Sequence, residues 1–105
     1  MAFDADQLVK GMMGAAQTSF GEDWPKAKDA LARVLADEKE ALKDIAEARI
    51  NGDINAEDME SQLADEKLAF EAGMAMVQVR TKKTIENAIN AAMAVLKGAI
   101  EAALP

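Results

Sequence analysis

The chain has 105 residues, a formal net charge of -7 and neither cysteine nor histidine. Its length is that of one domain, so residues 1–105 are assigned to a single domain. Without thiols or imidazoles, the sequence excludes disulfides, zinc–thiolate sites, thiolate nucleophiles and histidine-based proton transfer. We therefore expect a protein that is not an enzyme and that carries no cofactor.

The composition predicts an all-α fold. Half of the residues are hydrophobic, with alanine the most frequent, and 30% are charged. This balance is typical of long helices and coiled coils, whereas β-branched and aromatic residues are too few to build a sheet. A core made largely of alanine and methionine packs thinly, so we also expect a second chain to contribute to it.

The first predicted helix is short and covers residues 5–20, with Asp4 or Asp6 as its N-cap. Gly21 suits the position just after a helix, and Pro25 suits the first turn of the next one. The apolar stripe of this helix consists of Leu8, Met12, Ala15, Ala16 and Phe20.

The second predicted helix covers residues 25–50 and ends at a strong turn signal, Asn51-Gly52. Asn55 is a suitable N-cap for a following helix, and Asp58 stands three residues later, where a capping box places an acidic or amide side chain. The apolar stripe of the second helix consists of Leu31, Leu35, Leu42 and Ile45.

The third predicted helix covers residues 56–104, because this stretch has no proline and no cluster of turn residues. As one continuous helix it would be about 70 Å long. The apolar stripe changes phase around Thr81 and Thr84, which indicates either a stutter in a continuous helix or a short break capped by Thr84. We expect the continuous helix.

The five residues Leu-Ala-Asp-Glu-Lys occur at 35–39 and again at 63–67. A turn near residues 52 and 53 would fold the two copies against each other as an antiparallel helical hairpin. In that hairpin Glu38 and Glu66 lie at the same height, Lys39 lies near Asp65, and both glutamates interrupt apolar stripes.

The paired glutamates have two interpretations. Two buried carboxylates cost several kcal/mol unless they are paired, protonated or bound to metal. The first interpretation is that Glu38 and Glu66 fix the register of the hairpin. The alternative is a carboxylate metal-binding bundle, ferritin-like in architecture, with both as ligands. Sites of that family carry Glu-x-x-His, and Ala41 and Ala69 stand where the histidines would be.

The C-terminal stretch, residues 85–104, predicts an oligomer interface. It is apolar over so much of its circumference that it needs neighbours on more than one side. The first helix supplies one neighbour and a second chain is the natural other one, giving an oligomeric helical bundle. A membrane surface is the weaker explanation, because interfacial helices carry several basic residues and this one has only Lys97. The predicted interface residues are Ile85, Ile89, Ala92, Leu96 and Ile100.

These features together predict a non-catalytic helical structural or interaction protein that self-associates through its Ala/Met-rich helices. A different, unidentified protein partner is also possible, whereas the acidic charge argues against a nucleic-acid partner. No stretch of 18 uncharged apolar residues exists, so no membrane span is expected. The N-terminal residues lack the basic and apolar regions of a signal peptide, and we expect a cytoplasmic protein.

Overall fold

The computed structural model describes residues 3–79 and 81–105, and every regular element in them is helical. The predicted all-α fold is therefore confirmed. The first two helices lie within one residue of their predicted bounds. The elements are α1 (Ala5–Phe20), a short 3-10 turn (Gly21–Asp23), α2 (Trp24–Ile50), α3 (Ala56–Gly73) and α4 (Lys82–Ala103).

Local hydrogen bonds explain where α1 and α3 begin. The side chain of Asp4 accepts a hydrogen bond from the backbone N–H of Gln7 at 3.1 Å, which makes Asp4 the N-cap of α1. At the start of α3, Asn55 and Asp58 form a complete capping box: each side chain accepts a hydrogen bond from the backbone N–H of the other. Such caps each contribute about 1 kcal/mol because they satisfy N–H groups that have no partner within the helix.

Glycine closes the first two helices. Gly21 follows α1 with a φ of 54°, and Gly52 lies in the turn after α2 with a φ of 82°. Residues other than glycine rarely adopt these left-handed conformations, because their Cβ would approach the following carbonyl oxygen. Each of the two turns that the sequence marks with Gly21 and Asn51-Gly52 thus contains a glycine whose positive φ the turn requires.

The prediction of one continuous helix over residues 56–104 is wrong. α3 ends at Gly73 and α4 begins at Lys82, and a turn at residues 74–76 leads into non-helical backbone. The whole molecule is 41 Å in its longest dimension, too short for a straight helix of about 70 Å. The N-cap of α4 is Thr81, whose hydroxyl accepts the Thr84 N–H at 3.2 Å, so the break is capped by Thr81 and not by Thr84.

The four helices pack with sequence neighbours antiparallel, and α1 and α4 form the most extensive contact. Between α2 and α3, Val34 lies against Gly73 and Glu38 against Glu66, so the earlier residue of one helix meets the later residue of the other. Between α3 and α4, Glu60 pairs with Lys97, whereas Glu71 and Lys82 line one cleft. Asp6, near the start of α1, pairs with Lys39 in the second half of α2. Chain reversal after α3 therefore brings α4 back along the molecule, beside α1.

One hydrophobic core lies between the helices. The predicted stripe residues of α2 are all buried, as are those of α1 except the half-buried Ala15. The buried side chains of α3 are Met59, Leu63 and Phe70, which follow the predicted stripe on either side of Glu66. The largest fully buried residues are Met12, Phe20, Leu35, Leu42, Phe70, Met74, Ile89, Leu96 and Ile100.

Gly73 permits the close approach of α3 to α2. A Cβ built on Gly73 would overlap Cγ2 of Val34, a stiff β-branched side chain that has little freedom to move. We expect Gly73→Ala to lower the free energy of unfolding by about 1–2 kcal/mol through this overlap. Urea denaturation followed by circular dichroism measures the change.

Gly98 provides the matched control, because a Cβ there meets nothing within 4 Å. Gly98→Ala removes the entropic cost of glycine within α4 and is expected to stabilise the protein by about 0.5–1 kcal/mol. Combining Gly73→Ala with Val34→Ala should recover part of the loss, measured as a coupling energy in a double-mutant cycle. Equal, stabilising effects of the two glycine variants would contradict the close packing at Gly73.

Candidate functional site

The structure brings the two predicted glutamates together. Glu38 on α2 and Glu66 on α3 are both half-buried, and their carboxyl groups lie within hydrogen-bonding reach. Each occupies a position in the α2–α3 contact where its helix otherwise presents apolar side chains. The neighbouring positions along the two stripes are filled by the buried residues Leu35, Leu42, Leu63 and Phe70.

The surroundings favour a proton on this pair. Burial raises the pKa of Glu66 to about 7, and the hydrogen bond and negative charge of Glu38 act in the same direction, with a smaller contribution from Asp65. Burial disfavours a carboxylate because it removes water, and a second carboxylate nearby adds repulsion. Around neutral pH, the protonated Glu66 can therefore donate a hydrogen bond to the carboxylate of Glu38.

One oxygen of the pair has no hydrogen-bonding partner. Oε2 of Glu66 is buried, and no donor among residues 3–79 and 81–105 reaches it. A carboxylate needs hydrogen-bond donors at its oxygens when water is excluded. The lack of a donor to Oε2 is therefore a second reason why the charged form of Glu66 is unfavourable.

The predicted metal ligands do not gain a third partner. Within the described part of the chain, no group of three or more Asp, Glu, His or Cys side chains converges in a way that could hold a metal ion. Bundle-core dimetal sites use a larger set, with carboxylates from four helices and histidines from two. Glu38 and Glu66 therefore form a carboxyl pair, and two carboxyl groups are fewer ligands than such a metal centre uses.

Lys39 does not pair with Asp65, which the hairpin register placed near it. It forms an ion pair with Asp6, across the contact between α1 and α2. The hydrogen bond and charge of Lys39 lower the pKa of Asp6, and those of Asp6 raise the pKa of Lys39. Sequence reasoning missed this pair because the two residues belong to different helices and no local spacing connects them.

The predicted oligomer interface is mostly covered within one chain. Four of the five predicted residues lie on the buried face of α4: Ile89, Ala92, Leu96 and Ile100. The fifth, Ile85, is half-buried near the start of that helix. The apolar circumference of α4 does have neighbours on more than one side, but α1, α2 and α3 of the same chain supply them. Most of the predicted interface residues are therefore in contact with other helices of the same chain.

A different apolar surface lies where α3 turns back into α4. Leu68 is 64% exposed and Met76 is 90% exposed, and they are the large hydrophobic residues that the described chain leaves open. Leu68 lies three residues before Glu71, on the same side of α3. A cleft of about 540 Å³ opens at this turn and is lined by Glu71, Ala75, Lys82, Ile85 and Glu86. These five residues, Leu68 and Met76 are called the elbow surface below.

A pattern in the sequence marks part of this surface. The buried side of α3 carries Met59, Leu63 and Phe70, and Leu68 falls outside that spacing. A large apolar residue on the charged side of an amphipathic helix indicates either a second contact or an isolated exposed leucine. The reversal of the chain after Gly73, which the sequence did not predict, places the exposed Met76 in the turn that leads out of α3.

A second cleft, of about 520 Å³, lies between α1 and α2 and is crossed by the Asp6–Lys39 ion pair. Its other lining residues are Val9, Lys10, Met13, Ala32 and Ala36. The ion pair already supplies opposite charges to this cleft, and no side chain in it stands out as a nucleophile or a ligand. We assign it no chemical role.

Among the helices described, each is either too short or too polar to cross a bilayer. Comparison with known proteins found no protein family, no curated protein and no solved structure that matches this chain. The functional interpretation therefore depends on the two features described above, the glutamate pair and the elbow surface.

Proposed function

We propose that the protein is a non-catalytic helical interaction protein that self-associates through the elbow surface. The observations that carry this proposal are the exposure of Leu68 in α3 and of Met76 in the turn that follows, and the cleft that Glu71 and Ala75 line together with residues of α4. Exposed apolar side chains that cluster are characteristic of contact sites, whereas single ones scattered over a surface are ordinary.

A second copy of this chain is the partner that the charges favour. The cleft carries both signs, since Lys82, Glu71 and Glu86 all line it. In a two-fold symmetric dimer the same surface is used twice, so the lysine of one chain can lie near a glutamate of the other. Elsewhere the net charge of -7 makes two copies repel, which restricts their contact to a surface of mixed sign.

The expected association is weak. Burial of one leucine or methionine contributes about 1.5–3 kcal/mol, and a two-fold contact buries two of each. Loss of translational and rotational freedom, together with ordering of the methionine side chains, offsets much of this gain. We expect a dimer with a Kd on the order of 10–100 µM.

The double variant Leu68→Ser/Met76→Ser tests the proposal. Sedimentation equilibrium of the wild-type protein should show a weight-average mass that rises above 11.2 kDa toward twice that value as concentration increases. The double variant should keep the monomer mass because it lacks the apolar contact. Ala94→Ser, an exposed position on α4 outside the cleft lining, is the matched control and should dimerise like the wild type.

A charge exchange provides the sharper test of the two-fold arrangement. Lys82→Glu should weaken self-association, since it leaves only acidic residues around the cleft. A mixture of Lys82→Glu with Glu71→Lys/Glu86→Lys should form a heterodimer, because each chain then supplies the charge that the other lacks. A wild-type protein that stays monomeric at several hundred micromolar would contradict the proposal, as would a serine double variant that associates unchanged.

A further inference from the structure

The glutamate pair lies in the α2–α3 contact and includes no residue of the elbow surface. The inference from it does not depend on the self-association proposed above. Glu38 and Glu66 meet between layers of buried apolar side chains. A carboxyl pair in such a position holds two helices together only when the two groups share a proton, since two carboxylates repel. The contact between α2 and α3 is thus built around a group whose charge can change.

We propose that Glu38 and Glu66 form a proton-dependent latch, in which one shared proton joins the two carboxyls and its loss loosens the contact between α2 and α3. In the closed state, the protonated Glu66 donates a hydrogen bond to the carboxylate of Glu38. In the open state both groups are charged, and they separate so that water can reach their oxygens.

No nearby cation neutralises the pair within the described chain. Lys39, the residue after Glu38, is paired with Asp6 on α1. On α4, Lys97 is paired with Glu60, which lies six residues before Glu66 on α3. These two lysines on the neighbouring helices are therefore engaged elsewhere, and no basic side chain is among the groups that shift the pKa of Glu66.

The other acidic group that acts on Glu66 is Asp65 on the same helix, and its charge also opposes ionisation. The buried oxygen Oε2 of Glu66, which no described donor reaches, adds to this preference for the protonated form. Geometry, burial and charge thus all favour a proton on the closed pair, and no described group favours its loss.

The direction of the pH dependence follows from the two states of Glu66. Its usual pKa is 4.5, and in the folded chain burial beside Glu38 raises the pKa to about 7. The folded state therefore binds more protons than the unfolded state between these values, so stability decreases as pH rises through this interval. Below about pH 4.5 the stabilising effect is fully present, and above about pH 7 it is lost.

Urea denaturation of the full chain between pH 4.5 and 8.5, with chelator present, measures the effect. For the wild type we expect the unfolding equilibrium constant to increase about tenfold across this range through Glu66, less than the full pKa shift would give because water partly screens a half-buried group. Glu66→Gln, which resembles the protonated form, should lack this increase. Glu40→Gln, at an exposed position on α2, should behave like the wild type.

Carboxyl carbon NMR provides a readout that a merely structural role would not change. The side chain of Glu66 should titrate near pH 7 in the wild type. In the Glu38→Gln variant it should titrate closer to its usual value, because the amide removes a negative charge and can donate a hydrogen bond to the Glu66 carboxylate. This shift identifies Glu38 as the residue that controls the proton.

Spin labels report the opening of the latch directly. The chain has no cysteine, so Asp37→Cys on α2 and Ala64→Cys on α3, both at exposed positions, supply the only two thiols for labelling. The distance distribution should broaden between pH 5.5 and 8.5, and it should stay narrow when Glu66→Gln is added. Equal pH dependence in the wild type and the Glu66→Gln variant, or a Glu66 that titrates near pH 4.5 in the folded wild type, overturns the proposal.

Discussion

Leu96→Asp is expected to unfold the chain at neutral pH, whereas Ile85→Asp is expected to leave it folded. Leu96 is fully buried in the hydrophobic core, so an aspartate there would be a charge without a partner. Such a burial costs several kcal/mol, a large part of the 5–15 kcal/mol that stabilises an ordinary domain. Ile85 lines the open cleft, where water can solvate the new carboxylate.

Circular dichroism at 222 nm and thermal melting of both variants provide the measurement. Leu96→Met, which conserves volume and polarity, is the control and should cost less than about 1.5 kcal/mol. If Leu96 instead lay in a contact between chains, Leu96→Asp would give a folded, helical monomer. That outcome would contradict the burial of α4 within one chain, and it would restore the interface predicted from the sequence.

The elements that the sequence predicts well are those whose signals are local. Asp4 caps α1, Gly21 ends it, and Asn55 with Asp58 opens α3, each through contacts between residues that are at most four positions apart. The Asn51-Gly52 turn belongs to the same class. For such features the residue types alone determine the backbone conformation, because few alternatives satisfy the same hydrogen bonds.

The break between α3 and α4 has a different origin, which explains why the sequence did not predict it. No proline or Asn-Gly pair marks the site. The local signals are weak: Gly73, two valines with low helix propensity, and Thr81 as a cap. The decisive gain is tertiary, since the reversal allows α4 to bury its apolar face against α1 of the same chain.

The same limitation affected the predicted interface. The helical pattern of α4 shows how much of its circumference needs to be covered, but it contains no information on which chain covers it. The paired glutamates were easier, because the repeated Leu-Ala-Asp-Glu-Lys segment and the turn between its copies together imply which residues face each other. The sequence therefore predicts that Glu38 and Glu66 face each other, but the raised pKa of Glu66 depends on its burial, which only the structure provides.

Phe70→Ala is expected to lower the free energy of unfolding by about 3–5 kcal/mol, whereas Leu68→Ala is expected to change it by less than about 0.5 kcal/mol. Phe70 is 1% exposed, and its removal leaves a cavity between α2 and α3 as well as losing the burial of an aromatic ring. Leu68, two residues earlier, is 64% exposed and has little to lose. Urea denaturation at low micromolar concentration, below the range of self-association, compares the two.

This comparison tests the phase of α3, on which both proposals depend. If Phe70 faces the core, Glu66 one turn before it faces α2, and Leu68 lies on the open side with the elbow surface. Leu68 and Phe70 are two residues apart, which is about 200° around a helix. If α3 were rotated by that angle, Leu68 would face the core and Leu68→Ala would be the costly change. At several hundred micromolar, Leu68→Ala should weaken the proposed dimerisation without loss of helix content, because the proposed contact includes this leucine whereas Phe70 is buried within the chain.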